Sequence, residues 1–112
     1  MKEIQLRLTT KRAWRDNRFE IETRYAPSVY VAKVSLSFST PLDDEERENV
    51  ERALFGILEE KLKADFKRYL EDAEERNGFL ESSVLTRLSD KLAREVERLA
   101  KRLNAEWQTA ID

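Results

Sequence analysis

Eight consecutive residues, Lys11-Arg12-Ala13-Trp14-Arg15-Asp16-Asn17-Arg18, hold four cations and a tryptophan. Lys and Arg neutralise phosphates and carboxylates, Arg through a planar fork that makes two hydrogen bonds at once. An aromatic ring between cations can stack on a base or a nucleotide ring. Lys11, Arg12, Trp14, Arg15 and Arg18 therefore form a candidate binding group for nucleic acid, a nucleotide or another phosphorylated ligand. No glycine-rich phosphate cradle, RNP motif or metal-ligand spacing stands beside them. The competing reading is scaffold, with Trp14 folded back on a sheet edge or a helix and the cations in water. An exposed Trp14 favours the ligand; a buried one favours the scaffold.

Arg7, Arg24 and Lys33 fall on polar positions of segments that alternate in hydropathy. They would extend the patch over an open sheet face, beside Ser35, Ser37 and Ser39. Glu20 and Glu22 share that face, so cross-strand salt pairing competes with ligand binding there. The acidic run from Asp43 to Glu48 offers hard oxygen ligands, but it lacks the spacing and the turn glycine of a calcium loop. Its position in the first turn of a helix already accounts for it. Lys91, Arg94, Arg98, Lys101 and Arg102 make a basic helix side, with Asp90, Glu95 and Glu97 interleaved at pairing distance. That is the pattern of a solvated helix face.

The chemistry that is missing narrows the field. There is no cysteine, hence no disulfide, thiolate metal site or cysteine nucleophile. There is no histidine, which removes the commonest general base and metal ligand and with them a Ser-His-Asp triad. No pair of carboxylates stands out as an acid and base. No catalytic residue, metal site or cofactor is expected, and the chain reads as a non-enzymatic binding protein. No apolar run approaches the roughly 18 residues that span a bilayer. Met1-Lys2-Glu3-Ile4 does not open an apolar leader. The expectation is a soluble cytoplasmic protein without a membrane partner.

The elements that must position these residues are legible from periodicity. Ile4, Leu6 and Leu8 alternate with polar residues, as do Phe19, Ile21 and Tyr25, and then Tyr30, Ala32, Val34, Leu36 and Phe38. Each is a half-buried strand by its period of two. Residues 11–18 read as the first hairpin connection and Ala26-Pro27-Ser28 as the second turn. From Thr40, an N-cap candidate before Pro41, the apolar positions Val50, Leu54, Leu58, Leu62, Phe66, Tyr69 and Ala73 follow a helical step. Asn77-Gly78 is a stop. A second stripe, Leu85, Leu88, Leu92, Val96, Leu99, Leu103 and Trp107, repeats at eleven residues, the spacing of nearly straight pairing. Gly56 inside the first helix reads as a point of close approach.

The spacing predicts an α+β fold in one domain, residues 1–112. A three-stranded antiparallel meander (1–40) precedes a long antiparallel helical hairpin (41–112), in the order β-β-β-α-α. Helices of about 35 residues are about 50 Å long, whereas strands of about ten reach only about 33 Å. Tyr69, Leu70, Phe79, Leu80, Trp107 and Ile111 would overhang the sheet, and the third strand would be an open edge. Both points predict a homo-oligomer, a dimer or higher. The net charge of −2 divides into a basic first 40 residues and an acidic remainder, which suits an anionic partner for the front half. The expected function is that of a small inhibitor or sequestering factor acting on a protein or an anionic ligand. Nucleic-acid binding through residues 11–18 and the sheet face is the first alternative. A nucleotide or phosphorylated small molecule held between subunits is the second.

Overall fold

The computed structural model describes residues 7–26, 30–75 and 82–111. Strands β1 (Arg7–Arg15), β2 (Arg18–Ala26) and β3 (Tyr30–Ser37) form the meander, and a fourth strand, β4 (Glu106–Ile111), pairs with β3. The sheet has the order β1-β2-β3-β4 and is antiparallel throughout. The α+β class stands; the count of three strands and the division at residue 40 do not, because the C-terminal end of the chain returns to the sheet. β3 is consequently a central strand rather than an open edge.

Lys11 to Arg15 belong to β1 rather than to a connection. Only Asp16-Asn17 links β1 to β2, with Arg15 opposite Arg18. Asp16 has φ 53, a left-handed conformation that Asp tolerates better than most residues. The Phe38 amide donates to the Asn17 carbonyl at 2.9 Å, tying this turn to the end of β3.

Period two then sorts the sheet into two faces. Phe19, Ile21, Thr23 and Tyr25 of β2 stand opposite Leu36, Val34, Ala32 and Tyr30 of β3, and all eight are buried. Tyr25, Tyr30 and Phe66 meet at ring separations of 4.8 to 5.4 Å, joining sheet to helix.

The first helical arm runs unbroken from Asp44 to Glu75 as α1 (Asp44–Gly56), a π segment (Ile57–Leu62) and α2 (Lys63–Glu75). Its cap is Asp43, not Thr40. The Asp43 carboxylate accepts from the Glu46 amide at 2.8 Å, and Glu46 accepts from the Asp43 amide at 3.1 Å, a complete capping box. Val50, Leu54, Leu58, Leu62, Phe66 and Leu70 are all buried. Each step of four on an α-helix overshoots a full turn by about 40°, so five steps would carry the stripe about 200° around the helix. The wider π turn in the middle takes up this drift and keeps both ends of the stripe on the core. Gly56 opens the π segment with helical φ and ψ, and no atom lies within 4 Å of where its Cβ would be. It marks no close approach.

The second arm, α3 (Ser82–Leu103), ends four residues before Trp107. Asn104 takes φ 53. The Ala105 amide donates to the Ala100 carbonyl at 2.9 Å and the Asn104 amide to that of Lys101 at 3.4 Å, the paired bonds of a Schellman stop. Trp107 is thus a β4 residue opposite Leu36. Lys91 pairs with Asp65, and Lys61 with Glu95 at 3.7 Å, so the two arms run antiparallel. Leu70 and Val84 close into the same buried cluster beyond the sheet. The link at 76–81, with Asn77-Gly78, Phe79 and Leu80, lies outside the described residues, as do the strand start at Ile4 and the turn at 27–29. Among the described residues no helix is long and apolar enough to cross a membrane.

Candidate anion-binding face

Both helical arms cover one face of the sheet and leave the other in water, a common division for antiparallel sheets. The register fixes which side chains the open face receives. Across its middle, Lys11 of β1, Glu22 of β2, Lys33 of β3 and Ala110 of β4 lie in one row. The next row holds Ala13, Glu20, Ser35 and Gln108, and the one beside the β1–β2 turn holds Arg15, Arg18, Ser37 and Glu106. On the other side of the middle row Arg24 stands between Thr9 and Val31, and Arg7 lies beyond, opposite Ala26. The face thus gathers Arg7, Lys11, Arg15, Arg18, Arg24 and Lys33 against three carboxylates, Glu20, Glu22 and Glu106.

Ala13, Ser35 and Ala110 are small, and the sheet is hollow above them. The hollow has a volume of about 550 Å³ and is rimmed by Lys11, Arg15, Arg18 and Lys33, within the size range of ligand sites. Arg18 reaches Glu20 at 3.2 Å and the Ser35 hydroxyl at 3.5 Å; Arg15 reaches Glu20 at 3.7 Å. Arg24 turns to Glu22 at 3.5 Å. Lys11 and Lys33 flank Glu22 in register, yet neither forms an ion pair among the described residues. The arginine side chains of these pairs are 47 to 76% exposed. Such pairs contribute about 0–1 kcal/mol each, so exchanging them for contacts to an external anion costs little.

Arg12 and Trp14 are on the opposite side of β1, opposite Ile21 and Phe19. Trp14 is half-buried and packs on Phe19 at 5.0 Å and Phe38 at 6.2 Å. The Arg47 guanidinium covers its ring at 4.8 Å and donates to the Asp16 carbonyl at 3.1 Å. Trp14 thus packs as part of the turn, and Arg12 borders both the open-face hollow and a second groove between β1 and α1. The other six residues singled out in the sequence are together on the open face. Nothing in the sequence signals Gln108 and Ala110, because the apolar spacing through Trp107 predicts helix where β4 lies.

No family model, characterised protein or solved structure matches the chain.

Several residues of the remaining charged stretches have structural partners. Asp43 and Glu46 cap α1, Glu48 pairs with Arg52 at 3.0 Å, Arg98 with Glu95 at 3.1 Å and Lys101 with Glu97 at 3.4 Å. Among the described residues no group of three acidic side chains is placed to hold a metal ion. The same residues put no aromatic ring on the open face: Phe19, Tyr25, Tyr30 and Trp14 all belong to the helix side.

Proposed function

We propose that this protein is a non-catalytic binding protein that takes an anionic partner on the open face of its sheet, acting as a sequestering factor or inhibitor. The supporting observation is the convergence of Lys11, Arg15, Arg18 and Lys33 on a hollow floored by Ala13, Ser35 and Ala110, with Arg7 and Arg24 farther along the same face and Lys11 and Lys33 free of ion pairs among the described residues. Nucleic acid is the second reading. It would be held by phosphates alone, since the face lacks rings for base stacking, and would show little sequence preference. All six cations come from one chain, so the site is complete without a subunit boundary. Self-association is a separate proposal, and light scattering decides it by a mass of 13.3 kDa or a multiple of it.

Fluorescence polarisation with labelled polyglutamate, a heparin fragment and single-stranded DNA tests the reading. At least one polyanion is expected to bind, with an affinity that falls about ten-fold or more between about 50 and about 200 mM salt. The double substitution Lys11→Glu with Lys33→Glu is expected to lower that affinity by about ten-fold or more. No binding of any polyanion at the lower salt concentration rejects the reading.

A further inference from the structure

β1 is an edge strand: no strand among the described residues pairs with its outer side. The bond from the Phe38 amide to the Asn17 carbonyl fixes the phase of the ladder. It makes Phe19, Ile21, Thr23 and Tyr25 direct their backbone groups to β3, and Arg18, Glu20, Glu22 and Arg24 direct theirs to β1. Within β1, Arg7, Thr9, Lys11, Ala13 and Arg15 therefore bond to β2. Leu8, Thr10, Arg12 and Trp14 point their N–H and C=O groups outward. Four alternate residues along one edge offer a template for a further strand.

Beside that edge, on the helix side, lies a groove of about 560 Å³ between Arg12 and the first helical arm, lined by Glu48, Glu51, Arg52, Phe55, Glu59 and Glu60. The space that Gly56 leaves open is part of it. A strand added to β1 would set alternate side chains over this groove and the others beside Lys11 and Arg15 on the open face. Charge states what those side chains must be. Over the groove, four glutamates outnumber Arg12 and Arg52 beside one phenylalanine ring, which calls for basic and apolar residues. On the open face, Arg7, Lys11 and Arg15 call for carboxylates. A second copy of β1 does not fit, because its nine residues carry four cations and no acid, and pairing would oppose like charges.

We infer that the β1 edge docks an extended polypeptide segment by strand addition, its acidic residues alternating with apolar or basic ones. This rests on the anion-binding reading for one of its two faces, and adds backbone pairing and a second, acidic groove.

The probe is a fluorescein-labelled nonapeptide alternating Glu with Val and Lys, with a control in which every Glu is Lys. The acidic peptide is expected to bind at least ten-fold more tightly than the control. Hydrogen exchange in the wild-type complex is expected to slow at the Leu8, Thr10, Arg12 and Trp14 amides. Thr10→Pro removes one outward donor without touching the bonds to β2, and is expected to lower peptide affinity at least ten-fold while leaving heparin binding unchanged. Thr10→Ala is expected to bind as wild type. Peptide binding without slowed exchange at those four amides overturns strand addition while leaving the charged face standing. Failure of the peptide with retained heparin binding does the same. Failure of both rejects the two readings together. A particle of twice 13.3 kDa whose β1 amides are already protected without peptide would put a second copy on the edge and overturn the inference.

Discussion

Two buried tyrosines, adjacent across β2 and β3, have opposite hydrogen-bond status. Tyr25 donates its hydroxyl to the Leu58 carbonyl at 2.9 Å, inside the π segment. The Tyr30 hydroxyl is buried without a partner among the described residues. Losing a buried bond leaves an acceptor unsatisfied, whereas removing an orphaned hydroxyl relieves a desolvation cost. Tyr25→Phe is therefore expected to destabilise the fold by about 1–3 kcal/mol, and Tyr30→Phe to be neutral or stabilising by up to about 1 kcal/mol, both read from urea unfolding. Burial pushes both phenols well above their ordinary value, with the neighbouring Tyr30 adding to the effect on Tyr25. Below the unfolded value of about 10 both states hold the proton, and the tyrosines add no pH dependence. Above it the unfolded chain ionises first, so stability is expected to fall as pH rises past about 10, with a shallower fall in Tyr30→Phe. Trp14 belongs to the same scale. Its indole N–H has no partner among the described residues and its ring faces the core cluster. Trp14→Phe is accordingly expected to leave polyanion affinity unchanged, measured by polarisation. A loss of affinity would return Trp14 to the ligand.

Among the elements, the first helical arm shows how much can be read from spacing and where it misleads. Steps of four residues from Val50 to Leu70 are helical in kind, but their unbroken repetition calls for a wider turn than 3.6 residues. The π segment is the physical answer, and that repetition was its signal. Gly56 at its start has helical angles and open space around it. Gly56→Ala is expected to raise stability by up to about 1 kcal/mol, seen as a higher thermal midpoint. A lowered midpoint would mean that the π turn needs the glycine. β4 was hidden for another reason. Val96 to Trp107 is eleven residues, so Trp107 extended the helical stripe by coincidence, while Asn104 carried the stop. Asn in the left-handed conformation is a weaker marker than Gly, and only the Schellman bonds around it reveal the end of α3. The three N-terminal strands were legible because their alternation is strict. The extent of β1 was not, because Thr9 to Arg12 are polar or charged on both faces and break the alternation before Trp14, as an edge strand allows.

At the scale of the whole molecule, these corrections move the site. Strands that were to end before Lys11 continue through Arg15, so the basic stretch is split by period two: Lys11 and Arg15 go to the open face, Arg12 and Trp14 to the helix side. The residue types were readable, but the division needed the register. β4 completes the far wall of the hollow with Gln108 and Ala110 and covers the edge of β3 that would otherwise be open to a second chain. What remains is a sheet whose two faces have separate tasks, one packing helices and the other presenting cations. The most direct test of this division is a nitrogen–proton correlation titration of the wild-type protein with a heparin fragment at low salt. Shifts are expected to concentrate at Lys11, Ala13, Lys33, Ser35, Gln108 and Ala110, and to vanish as salt is raised. Shifts confined to Arg94, Arg98 and Arg102 on α3, or none at all, would contradict the account.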